Sequence, residues 1–344
     1  MISEGMRRDV CERVGSSWMG REAMIWEALK SGLWSKQGRR TGPFVLPTVI
    51  LDIQPDFVAG ARLDRSSRQV RRVAVRQLES GTLDPHVSRP NLIKKERVRR
   101  AVREVMETVG NGGGSMGVLL PDSSVRVAVL RFETLPSQRE EAEAVVRWKM
   151  ADLLPFPPEE ARISFRLLSQ GGDPVEVLGI ALRNSIANEY EDVVDNSGAR
   201  PVLILPATAA LLPSLPARDG GSQILVHLCS GSITTVVSVG DSISIWRNRQ
   251  LQGAAARGNG EILREISRVL ATCHDRLKSE VDNLWIYTRP AGHTALEREI
   301  GEAARRPVQP ITGTDLRADT LSADEKKLLE NFGMTFSGLL GSQI

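Results

Sequence analysis

The stretch LDIQPDFVAGARLD, Leu51 to Asp64, holds two apolar runs joined by a short turn, and it predicts a β-hairpin. The first run ends in Asp52. Many phosphate-binding hairpins share this layout, with glycines in the turn that let backbone N–H groups approach the phosphate. This turn carries Gln54, Pro55 and Asp56 instead. The hairpin therefore raises the question of whether the chain binds a nucleotide.

The hairpin belongs to an order of elements that occurs twice. Each copy begins with three strand-like runs. These runs are TVILDI, FVAGARLD and QVRRVAVRQL in the first copy, and QILVHL, ITTVVSVG and SISIWRN in the second. A helix follows in each copy, from about Leu92 to Val109 and from Glu261 to Leu277, with apolar residues at helical spacing. The duplication predicts two similar α/β lobes with a ligand cleft between them.

A smaller α+β region separates the two copies. Its strands are SVRVAVLRF, ARISFRLL and VEVLGIALR, and its second helix runs from Asn184 to about Asn196. Ser137 and Glu140 have the spacing of a capping box and predict the start of its first helix. The stretch NGGGSMG, Asn111 to Gly117, predicts a flexible connection before this region.

These patterns divide the chain into five segments. They are an N-terminal extension (1–47), the first part of the first lobe (48–116), the inserted α+β subdomain (117–200), a return to the first lobe with a connection (201–221), and the second lobe (222–344). The second lobe ends in a helix predicted from Ala323 to Leu340, which can pack back on the first lobe.

Composition and charge exclude several classes of protein. The chain has 344 residues, is 41% hydrophobic and carries a net charge of +3, with the basic excess confined to the N-terminal extension, which argues against a nucleic-acid binder. Cys11, Cys229 and Cys273 form no CxxC pair, so neither a disulfide framework nor a zinc site is expected, and a reduced cytoplasmic setting fits best. The longest uncharged run, from Pro201 to Ala217, is broken by prolines and is too short to span a membrane.

The extension contains a basic amphipathic stretch, residues 24–40. Ile25, Trp26, Leu29 and Leu33 fall at helical spacing, and basic residues follow them. The pattern is typical of a helix that lies on anionic lipid, which would make a peripheral membrane contact. The alternative interpretation is a helix docked on this protein or on a partner.

The stretch from Leu135 to Leu168 resembles the signature region of PilM, the actin-like cytoplasmic protein of type IV pilus assembly platforms. That family has a helix with Arg-Trp near its middle, a Pro-Phe-Pro stop, an acidic turn and a strand. The corresponding residues here are Arg147, Trp148, Pro155, Phe156, Pro157, Glu159 and Glu160. The resemblance extends in layout from Thr48 to Leu340 and implies an actin-like (ribonuclease H-like) two-lobe fold, with the inserted subdomain that PilM and the related FtsA carry.

The resemblance also implies a nucleotide site, and the sequence departs from it at three turns. Gln54 and Pro55 replace a glycine and a serine in the first turn. In HLCSGSITT, His227 stands at the metal-linked aspartate and Cys229 at a glycine. In YTRPAGH, Arg289 stands where the family has bare glycine backbone for the adenosine. We therefore expect a pseudo-ATPase with no catalytic residue, no metal ligands and no resident cofactor, with ATP and Mg²⁺ bound only if the degenerate site still accepts them.

The remnant of the nucleotide site is defined residue by residue from this comparison. It comprises Asp52, Gln54, Asp56, His227, Ser230, Gly231, Gly258, Gly260, Glu261 and Arg289.

The function implied by the resemblance is that of a cytoplasmic adaptor, peripheral at the inner membrane, in a type IV pilus or related secretion platform. PilM holds the short cytoplasmic tail of the membrane protein PilN as an extended peptide, and other platform proteins are possible partners. The equivalent groove would lie between the first lobe and the inserted subdomain, bordered by Leu154, Pro155 and Phe156, unless these residues only pack the helix end into the subdomain core.

Two alternatives remain open from the sequence. One is a nucleotide-dependent switch that still binds ATP, which Asp52 and Gly258 favour. The other is an FtsA-like filament protein tethered to a membrane by an amphipathic helix.

Overall fold

The computed structural model describes residues 47–64, 69–110, 115–168, 174–195, 197, 199–216, 221–229, 231–240, 242–251, 259–278, 280–288, 294–311 and 320–332. The strands are β1 Val49–Ile53, β2 Phe57–Leu63, β3 Val70–Gln77, β4 Ser115–Leu120, β5 Arg126–Phe132, β6 Ala161–Leu167, β7 Val175–Arg183, β8 Arg200–Pro206, β9 Ser222–Cys229, β10 Ser232–Val239, β11 Ser242–Gln250, β12 Asn283–Thr288 and β13 Val308–Pro310. The helices are α1 Lys95–Val109, α2 Arg139–Ala151, α3 Asn184–Asp195, α4 Ala207–Leu211, α5 Gly260–Thr272, α6 Thr294–Ala304 and α7 Ala323–Phe332.

Two of the three sheets in this part of the chain have the same strand order. The first sheet runs β3-β2-β1-β4-β8 and the second β11-β10-β9-β12-β13. In each, three antiparallel strands are extended by two parallel ones. The predicted duplication of three strands and a helix is therefore confirmed. The buried faces of these sheets form separate cores, which accounts for two lobes.

The third sheet, β5-β7-β6, carries α2 on one face. Leu130 and Phe132 of β5 pack with α2 in the core of the inserted subdomain. Val127 and Val129 of the same strand lie on the opposite face, next to a core that includes Trp246 of the second lobe. Because successive side chains of a strand point to opposite faces, β5 has one face toward α2 and one face toward the lobes.

The expected flexible connection at Asn111 to Gly117 is wrong for its last three residues. Ser115 begins β4, which pairs in parallel with β1 and β8 and extends the first sheet past the expected boundary at residue 116. Gly117 lies inside this strand. A larger residue would be crowded at this position, because its Cβ would come 3.0 Å from the Ile50 side chain. The glycine reflects close packing of the sheet and not a flexible linker.

Two predicted helix starts also differ. Helix α1 begins at Lys95 and not Leu92, because Leu92 forms a β-bridge with Leu83. The capping box at Ser137 and Glu140 is wrong, since α2 begins at Arg139 and no side chain caps it. Glu140 instead lies in the first turn of α2, where a negative charge favours the helix dipole.

The C-terminal helix α7 lies against β3 of the first sheet. Leu321 and Leu328 pack into one core of the first lobe, and Arg72 of β3 pairs with Glu325. Phe332 is the last residue described, so the predicted continuation to Leu340 falls outside the described residues. No helix among the described residues is both long and apolar enough to span a membrane.

Candidate functional site between the two lobes

The first turn is stabilised by its own side chains. Gln54 donates from Nε2 to Oδ1 of Asp52 at 2.6 Å, and the Gln54 backbone N–H donates to the carbonyl of Phe57 at 2.9 Å. Asp52 is fully buried and Gln54 is 2% exposed, whereas Asp56 at the tip of the turn is exposed. The residue at the glycine position is therefore part of the packed interior.

The first turn meets the second lobe through Cys229. The Sγ of Cys229, at the end of β9, donates to Oε1 of Gln54 at 3.4 Å. Cys229 is 7% exposed. These are the two residues that stand at glycine positions in the two hairpins. Their buried side chains are thus in contact across the junction of the two lobes.

A second buried network centres on Asp122, in the 3-10 helix that follows β4. Its Oδ2 accepts from the hydroxyls of Thr208 at 2.5 Å and Thr234 at 2.9 Å, and its Oδ1 accepts from the Thr208 backbone N–H at 3.0 Å. His227 Nδ1 lies 3.1 Å from Asp122 Oδ2 and 2.6 Å from Thr208 Oγ1. Asp122 and Thr208 follow first-lobe strands while His227 and Thr234 lie on second-lobe strands, so the network joins the lobes.

The geometry fixes which ring nitrogen of His227 carries a proton. Because the Thr208 hydroxyl donates to Asp122, both groups that face Nδ1 present acceptor oxygens. Nδ1 must therefore be the protonated nitrogen. Nε2 is buried and has no hydrogen-bond partner among the described residues, and the ring lies 5.3 Å from that of Tyr287, measured between centroids. His227 thus acts as a hydrogen-bond donor within the protein.

Asp122 is ionised in this network. Burial opposes the charge, but the hydrogen bonds from His227 and Thr208 outweigh it and hold the pKa of Asp122 below its ordinary value. A carboxylate that accepts several hydrogen bonds in a dry site is well satisfied. The network therefore stabilises the junction of the lobes at neutral pH.

The remaining predicted site residues are not brought to these networks. Gly231 is an exposed turn residue with φ of +82°, and Gly260 begins α5. Glu261 pairs with Arg249 of β11 at 3.5 Å. Three predicted residues lie outside the described residues. They are Ser230, Gly258 and Arg289.

Sequence reasoning missed Asp122 and Thr208. Each lies two residues beyond the last residue of a strand of the first sheet, Asp122 after β4 and Thr208 after β8. A polar residue just after an apolar run was the available signal, as in LLPD and ILPAT. This pattern is hard to recognise for Asp122, because the first residues of β4, Ser115 to Gly117, look like the end of a glycine-rich linker in the sequence.

The junction of the first lobe with the inserted subdomain is crossed by charged and apolar contacts. Helix α3 was expected in the inserted subdomain, but its Ile186 and Tyr190 side chains pack in the core of the first lobe. Arg162 of β6 donates to both carboxylate oxygens of Glu191 on this helix, at 2.6 and 3.1 Å. Val87, in the loop between β3 and α1, packs against the core of the subdomain, and Arg183 of β7 donates to the carbonyl of Ser88. The loop and α3 therefore fix the first lobe to the strands of the subdomain.

The three residues expected to border a partner groove differ in exposure. Phe156 is buried in the core of the inserted subdomain, with the guanidinium carbon of Arg183 5.6 Å from its ring centroid. Leu154 is half-buried against the same core, and Pro155 is exposed. The alternative interpretation, a helix end packed into the core, therefore holds for Phe156.

The side chains between the lobes do not fit the Mg²⁺-nucleotide that the resemblance implies. Pro55 has no backbone N–H to donate to a phosphate. Gln54 and Cys229 cover the turns that would approach it, and His227 directs Nδ1 to Asp122 and Thr208. The donor set at these turns serves contacts within the protein.

Comparisons with known proteins locate this arrangement among solved folds. No protein-family model matches the chain, and no curated protein matches it in sequence. The structure is similar to a chain of the PilM-PilN type IV pilus biogenesis complex, with 16% identity, a TM-score of 0.72, and coverage of 87% of this chain and 98% of that one. It is also similar to a protein from Bacteroides thetaiotaomicron described as having an actin-like ATPase fold and unknown function, with 8% identity, a TM-score of 0.55, and coverage of 87% and 97%. The expected fold class is confirmed: this chain has the two-lobe actin-like ATPase fold, with duplicated strand-helix units and an inserted α+β subdomain.

Proposed function

We propose that this protein is a pseudo-ATPase adaptor of a type IV pilus or related secretion platform. The adaptor holds the short cytoplasmic tail of a PilN-like membrane protein in the groove between the first lobe and the inserted subdomain. The contact between Gln54 and Cys229 carries the pseudo-ATPase part of the proposal, because it puts side chains at the turns where an actin-like ATPase receives phosphates. The adaptor part draws on the similarity in fold to a chain of the PilM-PilN complex.

The position of the subdomain supports a peptide partner. Among the described strands, β6 pairs with β7 alone, so its other edge can accept an extended peptide as an added strand. Arg162 on this strand donates to Glu191 of α3, a contact that supports a position of β6 beside the first lobe. Leu167, at the end of β6, is exposed and offers an apolar contact beside the edge.

The test is a fluorescence titration of the full-length protein with a labelled peptide that has the sequence of a PilN-like N-terminal cytoplasmic tail. We expect saturable binding with a micromolar Kd. Leu167→Glu places a charge beside the edge and is expected to weaken binding at least about tenfold. Trp148→Ala, on the far side of α2, is the matched control and should leave the Kd unchanged. Absence of binding at millimolar peptide would overturn the proposal.

The same proposal places the protein at the cytoplasmic face of the inner membrane, with residues 24–40 as a lipid contact. These residues lie outside the described residues. Sedimentation with anionic vesicles of the full chain beside a chain beginning at Pro47 tests the contact. Equal partitioning of both would remove the lipid role and leave the tail-binding proposal intact.

A further inference from the structure

Helix α2 carries the most exposed large apolar side chain in the part of the chain that is described. Trp148 is 72% exposed, while Ala142, Val146 and Met150 of the same helix are buried. The buried stripe explains how α2 packs on the third sheet. It does not explain why a tryptophan side chain is exposed on the other side of the helix. Tryptophan is the residue type most enriched at the energetic centres of protein interfaces.

The surroundings of Trp148 form a definite surface. Successive residues of a helix are turned by about 100°, so the residues three, four and seven positions away lie on one face. This face, which we call the Trp148 face, consists of Glu141, Ala144, Val145, Trp148, Ala151 and Asp152. The small and half-buried apolar residues make a shallow platform around the indole, and the two carboxylates lie at its rim.

The charge of the Trp148 face is negative. Glu141 and Asp152 are exposed, and neither makes an ion pair with another of the described residues. Lys149 lies at the flank, and Arg147 is engaged by Glu143 at 3.4 Å. A partner that covers the indole therefore also meets two uncompensated carboxylates. Lysine or arginine side chains suit the carboxylates and the indole alike, because they pair with the carboxylates and stack a cation on the indole ring.

The Trp148 face is also held rigid. Arg147 donates to the carbonyls of Pro158 at 2.7 Å and Ala161 at 3.0 Å, which ties α2 to the start of β6. The residue beside Trp148 thus fixes the helix that presents it. A surface ordered before binding loses little conformational entropy when a partner docks.

The face is separate from the junctions between the lobes. Helix α2 covers one face of the third sheet, and Val129 and Leu178 on the other face pack toward the second lobe. Trp148 points away from the buried stripe of α2 and so away from the sheet. A partner on this face can bind while the groove beside β6 is occupied.

We infer that the Trp148 face is a docking site for a second protein, through a segment that bears lysine or arginine side chains together with an apolar residue. The inference does not depend on the proposed tail-binding groove. With two separate faces, the protein can join two partners.

The test uses the full-length protein in its own cells. The photo-crosslinking residue p-benzoylphenylalanine replaces Ala144, which lies one turn from Trp148 and keeps the indole in place. The control position is Arg103, exposed on α1 of the first lobe. The crosslinked partner segment is mapped by mass spectrometry, made as a synthetic peptide, and titrated against the wild type, Trp148→Ala, and the double variant Glu141→Lys/Asp152→Lys.

We expect one crosslinked protein at Ala144 that is absent at Arg103, and a mapped segment with net positive charge. Its Kd should rise at least about tenfold in each variant and also with added salt. Thermal melts check that both variants are folded, as expected for substitutions at exposed positions. No crosslink above the control, a neutral or acidic segment, or a Kd that neither variant changes overturns the inference.

Discussion

The Sγ of Cys229 lies 3.4 Å from the Oε1 of Gln54, so the residues at the glycine positions of the two hairpins are bonded to each other across the lobes. Gln54 in turn donates to the buried Asp52. This chain of contacts links the first turn of the first lobe to the end of β9 in the second lobe. Substitutions of these residues therefore test how strongly the two lobes are coupled.

The Gln54 and Cys229 side chains should be energetically coupled. Gln54→Ala removes a donor from a buried carboxylate and is expected to lower the free energy of unfolding by about 1–3 kcal/mol. A double-mutant cycle with Cys229→Ala, measured by urea denaturation, should give a coupling of about 1 kcal/mol. Additive effects of the two substitutions would show that the contact contributes nothing.

Asp122 should make stability depend on pH in the acid range. Its pKa is lowered in the folded state, so its contribution is present above the unfolded carboxyl pKa of about 4 and is lost as the pH falls toward the lower folded value. Asp122→Asn should cost about 3 kcal/mol at pH 7 and less at pH 3.

The measurement for Asp122 is urea unfolding of both proteins from pH 7 to pH 3. Asp84→Asn, in the exposed pair with Arg89, serves as the control and should follow the wild type. An equal loss at both pH values for Asp122→Asn would contradict an ionised Asp122.

Restoring the carboxylate of the actin-like family at position 227 should harm this protein. His227→Asp sets two carboxylates against each other in a buried site and should cost about 3 kcal/mol or more at pH 7. His227→Asn keeps an N–H donor and should cost less. Because the pair repels only when both groups are ionised, the stability of His227→Asp should recover toward the wild type as the pH is lowered from 7 to 5. Full rescue at pH 7 by millimolar Mg²⁺ would instead reveal a functional metal site.

The two described cysteines should resist alkylation in the native protein. Both thiols are buried, and burial raises the pKa of Cys273 to about 11, which leaves little thiolate at pH 8. Gln54→Ala should raise the labelling rate of Cys229 severalfold and leave that of Cys273 unchanged, as read by iodoacetamide labelling and mass spectrometry. Equal rates for Cys229 in both proteins would argue that Gln54 does not shield it.

The sequence predicted the fold because its apolar runs are regular. The paired runs around Leu51 and around Leu225 both form hairpins. They could be predicted because buried strands require alternating or continuous apolar residues, and this pattern is visible in a single sequence. The start of β4 at Ser115 could not be predicted, because Gly117, which is closely packed inside the strand, looks like part of a glycine-rich linker in the sequence. Similarly, the Asp122 network could not be predicted, because its members are brought together from distant positions only by the final docking of the lobes.

We propose that side chains of the protein itself close the space between the lobes of this actin-like fold, and that the protein acts as a scaffold without nucleotide. The most direct measurement is a titration of the purified full-length protein with a fluorescent ATP analogue, with and without Mg²⁺. We expect no saturable binding up to about millimolar nucleotide. A Kd of about 1 mM corresponds to a binding free energy of only about −4 kcal/mol. Mg²⁺-dependent binding with a micromolar Kd would contradict the proposal.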